Sequence, residues 1–238
     1  MLAVHRSLGT WMRMVAYYIA LTEFARRKFI AGGLPPERIA VKPNFVSLDP
    51  GRKDGAGDYA IFLGRLSPEK GVRTLVSAWK QLRLSIPLVI IGEGPSRCEL
   101  EDRVISCGLR GVSFRGQVSR EDALDAVKKA RFLVLPSECY ENFPMSIAEA
   151  FACGTPVICS QLGAMAELVC DGRTGLHFKA QDCVDLAAKC QWAWNHPHEL
   201  HAMSICARQE YKSRYTAEKN YATLMDIYAR AMTKSGNC

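Results

Sequence analysis

Short runs of contiguous apolar residues alternate along this chain with segments whose apolar positions recur every three or four residues. The runs at 17–21, 39–42, 59–63, 88–91, 112–115, 132–135, 157–160 and 176–178 carry few interleaved polar residues. Such runs read as strands buried on both faces. The helical spacing falls at 23–31, 71–84, 97–107, 120–130, 144–153, 164–169 and 183–196, with two closing helices at 198–214 and 217–234. Regular strand–helix alternation predicts an α/β class: a doubly wound, parallel, six-stranded Rossmann-like sheet, preceded by a partial strand-helix-strand unit.

Composition changes along the chain divide it. Residues 46–57 are polar and glycine-rich and read as a linker. Residues 58–214 suffice for a complete doubly wound domain, whereas residues 1–45 are too few for an independent one. Residues 215–238 form a final helix with Tyr221, Leu224, Ile227, Tyr228 and Ala231 on one stripe. The pattern predicts that much of this apolar face is exposed, which favours aggregation or self-association.

The balance of 31 basic against 24 acidic residues, net +7, favours an anionic partner. Nucleic acid fits poorly, because the basic residues are scattered and Arg26-Arg27-Lys28 is their longest run. Ten cysteines without a C-x-x-C pair suggest reduced thiols and a cytoplasmic protein. His196, His198 and His201 offer a metal-site reading, against which Pro197 argues for a helix start. No secretory signal is evident in the residues given, and the apolar run 14–21 is too short to span a bilayer. His5, Arg6, Trp11, Met12, Arg13 and Met14 have the spacing of a basic amphipathic helix, either peripheral at the inner face of a membrane or buried.

Two places carry chemistry. The strand at 59–63 runs into Gly64-Arg65-Leu66-Ser67-Pro68-Glu69-Lys70-Gly71. Gly64 allows a tight turn, Arg65 presents a planar fork for phosphate oxygens, and Lys70 adds a mobile point charge at the next helix start. The competing reading is two solvated loop cations. The strand at 132–135 leads into Glu141-Asn142-Phe143-Pro144-Met145-Ser146-Ile147-Ala148-Glu149. Phe143 precedes a proline and is pushed from the α region, while Pro144 suits the first helical position. Glu141 therefore belongs to a loop and Glu149 to the second turn of a helix whose N-terminus favours an anion. Either acid is otherwise a loop or helix-surface carboxylate.

These segments, together with Gly92-Glu93-Gly94-Pro95, Gly116-Gln117-Val118, Ala152-Cys153-Gly154-Thr155-Pro156-Val157 and Asp171-Gly172-Arg173-Thr174-Gly175-Leu176, occur in an order that resembles the family 4 glycosyltransferases of GT-B architecture. The resemblance runs from about Tyr18 to the C-terminus. It implies transfer of a hexose from a nucleoside-diphosphate sugar to an acceptor with retention of configuration, without a divalent metal or other cofactor. It also implies roles. Arg65 and Lys70 neutralise the diphosphate, and the backbone N–H groups of Phe143, Met145 and Ser146 reach the sugar and distal phosphate. Glu141 holds sugar hydroxyls, Glu149 holds the ribose, and the backbone around Val118 lies near the base. Gly92 and Gly94 keep the cleft wall open, and Asn142 belongs to the same sugar-binding loop.

The chain departs from that pattern before residue 46, where only the end of an acceptor-binding domain is recognisable. The expectation is a truncated frame that binds donor and is weak alone, or else a non-catalytic nucleotide-sugar binding module acting with a separate N-terminal partner. The base, sugar and acceptor are not readable. A nicotinamide-binding Rossmann protein would need G-x-G-x-x-G after the first strand of the sheet, and residues 59–70 lack it.

Overall fold

The computed structural model describes residues 4–5, 8–55, 57–82 and 85–235. Its principal sheet has six parallel strands: β3 (Ala60–Leu63), β4 (Leu88–Ile91), β5 (Val112–Gly116), β6 (Phe132–Leu135), β7 (Val157–Ser160) and β8 (Gly175–Phe178). Their spatial order is β5-β4-β3-β6-β7-β8. The chain thus winds outward from β3 to one edge, then returns to the other side of β3 to begin β6. In such sheets ligands bind beyond the carboxyl ends of the strands at that reversal.

The inner strands β3, β4 and β6 are apolar throughout because each alternates its side chains between two covered faces, whereas the edge strand β5 exposes Ser113 and Arg115. Ile61, Leu133 and Leu135 enter one core with Ile147, Phe151, Tyr211 and Tyr215. Phe62, Phe132 and Val134 enter the other with Leu75, Trp79, Leu186 and Phe178. The covering helices are α3 (Val72–Gln81), α4 (Arg97–Ser106), α5 (Arg120–Lys129), α6 (Met145–Cys153), α7 (Gly163–Leu168), α8 (Cys183–Asn195) and α9 (Pro197–Arg214). The sequence pattern placed each of these within a few residues. The helix expected over 71–84 ends at Gln81, and positions 83–84 lie outside the described residues.

In front of this sheet, α1 (Thr10–Met14) precedes β1 (Tyr18–Ala20), α2 (Glu23–Ala31) and β2 (Ile39–Val41), with β1 and β2 paired in parallel. This small unit is fastened to the large one. Glu167, on α7, accepts from the backbone N–H groups of Glu23 (2.8 Å) and Phe24 (2.5 Å) at the start of α2. α1 buries none of its residues and leaves Trp11, Met12 and Met14 exposed; Arg6 lies outside the described residues. Among the described residues no helix is long and apolar enough to cross a membrane.

The stretch 46–57, read as a linker, is held to the domain along its described length. Val46 is buried and donates its N–H to Tyr215 O, Lys53 N–H bonds Cys153 O, and Asp49 takes both Nη atoms of Arg208 at 2.6 Å. Polar residues here serve as stitches to α6 and α9; Ala56 lies outside the described residues. The stripe on the last helix, α10 (Ala217–Ser235), also splits. Ile227 is buried and Leu224 and Ala231 are half-buried, while Tyr221 and Tyr228 stay exposed. Asn220 joins the helix to the small unit, accepting from Lys42 Nζ at 3.1 Å and donating to Pro43 O. Positions 236–238 lie outside the described residues.

The cysteines Cys153, Cys159 and Cys190 are buried, and all nine described cysteines are free thiols. His196 stacks on Trp192 and Pro197 opens α9, so the histidine-rich stretch is a helix start.

Candidate functional site

β3 and β6 are neighbours, and the loops that leave their carboxyl ends build one cleft. A cavity of about 410 Å³ is lined by Gly64, Arg65, Lys70, Glu141, Phe143, Pro144, Met145, Ser146 and Glu149. The loop after β3 is shaped by Gly71, whose φ of 67° lies in the left-handed region and which ends the 3₁₀ turn Pro68–Lys70. A Cβ at Gly71 would lie 1.8 Å from Pro136 O, so only glycine lets the two loops meet. That contact brings Lys70 across to Glu141.

Lys70 Nζ lies 2.5 Å from Glu141 Oε1, and Ser137 Oγ donates to the same oxygen at 2.7 Å. Lys70 is therefore a clamped cation in the 3₁₀ turn before α3, rather than a mobile one. Glu141 Oε2 takes no hydrogen bond from a described residue and faces a mostly buried setting, its side chain being 13% exposed. Arg65 is exposed at the mouth and forms no ion pair among the described residues. Glu138 serves as a brace: it accepts from Thr74 Oγ1 at 2.6 Å.

The floor is the start of α6. Pro144, with ψ 109°, is extended and acts as the N-cap, so the helix begins one residue later than the sequence suggested, at Met145. No side chain caps it. Ile147 N–H bonds Pro144 O at 3.1 Å, while Met145 and Ser146, whose N–H groups lie at the positive end of the helix dipole, line the cavity. Glu149 stands one turn further along. Burial raises its pKa above the usual carboxylate value, and Arg120 Nη2, 3.7 Å away, offsets part of that.

A second cavity of about 360 Å³ adjoins the first through Leu63, Gly64 and Arg65, and adds Gly92, Gln117, Val118, Ser119 and Arg120. Val118 thus lines the cavity next to that of Arg65. Gly92 lines this second cavity, and both Gly92 and Gly94 stand where backbone comes close. A Cβ on Gly92 would lie 1.9 Å from Gly64 O, and one on Gly94 2.3 Å from Leu66 O. Both glycines let one loop backbone press on another, and Gly94 does not line either cavity. Asn142 is exposed and lines neither cavity, and the Phe143 side chain packs on Tyr215 in the core, 5.8 Å between ring centres. Ser137 and Arg120 were not singled out in the sequence, and Gly71 was quoted there without its role in the loop contact. Ser137, four residues before Glu141, gave the only local signal.

The sequence profile described as glycosyl transferases group 1 matches residues 48–210. This chain belongs to that family. It is 29% identical over 178 residues to the D-rhamnosyltransferase WbpZ of Pseudomonas aeruginosa, covering 74% of this chain and 46% of that protein. Over 175 residues it is 31% identical to the glycogen synthase of Mycobacterium tuberculosis, covering 72% of this chain and 42% of that one. The chain thus spans a little under half the length of these relatives. The crystal structure of Anabaena HepE with UDP and glucose superposes with a TM-score of 0.82 at 20% identity, over 90% of this chain and 63% of that one. Sucrose-phosphate synthase from Thermosynechococcus elongatus gives 0.80 at 24%, over 91% and 58%. The fold of this family member is that of the GT-B glycosyltransferases.

Proposed function

We propose that this chain carries the donor half of a retaining, family 4-like glycosyltransferase that moves a hexose from a nucleoside-diphosphate sugar. One observation carries the reading: Arg65, Lys70, Glu141, Glu149 and the uncapped start of α6 line one cavity at the reversal point of the sheet. In this reading Arg65 and Lys70 hold the diphosphate and stabilise the charge that grows on it as the glycosidic bond breaks, where preorganised charge is most effective. The N–H groups of Met145 and Ser146 receive phosphate and sugar oxygens. Glu149 takes the ribose hydroxyls in place of Arg120, and the base extends past Gly64 toward Val118.

Glu141 acts as a clamp for sugar hydroxyls. Its Oε1 is already engaged by Lys70 and Ser137, which leaves Oε2 for the ligand and makes the carboxylate a poor nucleophile. The new bond forms between the acceptor oxygen and the anomeric carbon as the carbon–phosphate oxygen bond breaks. The acceptor proton passes to the departing phosphate oxygen. The two cations supply the charge that a divalent metal supplies elsewhere, so donor binding persists in chelator.

Thermal-shift titration with UDP, GDP and ADP tests the reading. One of them should raise the melting temperature, since a ligand at 100 times its Kd adds ~2.7 kcal/mol to the folded state. The Lys70→Ala variant should bind about tenfold or more weakly, a hydrogen bond to a charged group being worth ~1.5–3 kcal/mol. No shift with any of the three, or equal binding by the variant, sinks it.

A further inference from the structure

At the other end of the sheet lies a cavity of about 180 Å³. The donor cleft opens beyond the carboxyl end of β6, whereas this cavity is lined by Arg131, the residue immediately before that strand. Lys53, His198, His201 and Ser204 also line it, and no acidic side chain does. His198 and His201 are exposed in the first turns of α9, three residues apart and so on one face.

The polar groups here are unbalanced. Lys53 is 8% exposed, and its ammonium donates to two carbonyls, Ala130 O at 2.8 Å and Arg131 O at 3.0 Å. An ammonium has three donors, so one is left. Burial, with the Arg131 guanidinium adding to it, lowers the Lys53 pKa to about 8. Arg131 lies 4.4 Å over the Trp194 ring and gives Nη2 to Trp194 O, but its Nε is buried without a partner. Asp58 is an acidic neighbour of Arg131 and does not line the cavity. Ser204 is 2% exposed, and its Oγ is also buried without a partner. Native interiors leave few such atoms, and a bound water or ion is one account of those that remain.

We propose that this cavity binds a phosphate group, held by Lys53, Arg131 and the first turns of α9, at a site separate from the donor cleft. A phosphate fits the imbalance on each count. It brings negative charge to a buried ammonium held only by carbonyls, and oxygens that accept from its spare N–H. No side chain caps α9, so the positive end of an 18-residue helix faces the same place. The phosphate comes either free or on a phosphorylated sugar.

Calorimetric titration of the full chain with inorganic phosphate, at constant ionic strength and with or without saturating UDP, tests this. Phosphate is expected to bind in both conditions. Affinity should fall about tenfold in Lys53→Met and in His201→Ala, ~1.4 kcal/mol each. His201 is exposed, so its variant keeps the test valid if Lys53→Met unfolds. Hexose 6-phosphate binding more tightly than inorganic phosphate assigns the site to a phosphorylated sugar; equal binding assigns it to free phosphate. Absence of heat at millimolar phosphate, competition between phosphate and UDP, or unchanged affinity in both variants overturns the proposal.

Discussion

The carboxylate of Glu149 is partly buried 3.7 Å from Arg120, and that burial raises its pKa above the usual value. A raised carboxylate pKa means that the folded chain holds the proton more tightly than the unfolded one. That contribution to stability is fully present below the unfolded pKa and is lost as pH rises through the folded pKa. At neutral pH the empty protein therefore bears the cost of a desolvated charge. Glu149→Gln should melt above the parent at pH 7, with the gap closing as pH falls through the raised pKa of Glu149 and gone below its ordinary value of 4.5. The same variant should bind the preferred nucleoside diphosphate about tenfold more weakly, because a neutral amide replaces a charged acceptor. Melting curves across pH check the first part and calorimetry the second; a gap that does not change with pH refutes the account. The sequence showed Glu141 and Glu149 as two acids of different reach. It could not show Arg120, because that contact joins two helices 29 positions apart in the chain.

Elements meet at this site through backbone, and glycine decides where. Gly71 has φ 67° and no room for a Cβ against Pro136 O, while Gly172 has φ 73° and nothing within 4 Å. Gly172→Ala thus reports backbone strain alone, roughly 1–3 kcal/mol. Gly71→Ala adds a clash that parts the loops carrying Lys70 and Glu141. It should melt several degrees below Gly172→Ala and lose nucleotide binding that the latter keeps. Equal melting points would show that the contact between loops carries no weight. Strands and helices were legible at this scale because their periods are local. The role of Gly92 and Gly94 was not: a glycine pattern tells where backbone comes close, and only the packed loops tell what it comes close to.

For the molecule as a whole, the last helix matters most. It buries Ile227 against the rest of the chain and leaves Tyr221, Met225, Tyr228 and Met232 exposed, at 65%, 44%, 52% and 68%. Such a cluster favours association. Sedimentation should show the average mass rising with protein concentration, and Tyr221→Ser combined with Tyr228→Ser should reduce that rise. A parent chain that stays monomeric at high concentration refutes this.

Local order was written in the residues themselves. The alternation of apolar runs with helical periods dictated a parallel sheet, and the Arg-Lys and Glu-Glu motifs lay after the two strands whose ends the fold brings to one cavity. Tertiary structure alone decided the partners. Lys70 meets Glu141, Arg120 meets Glu149 and the stretch 46–57 is stitched to α6 and α9 only once β6 lies beside β3. Periodicity follows from the geometry of one element, whereas a counterion, a clash or an orphaned donor depends on which distant element closes over it.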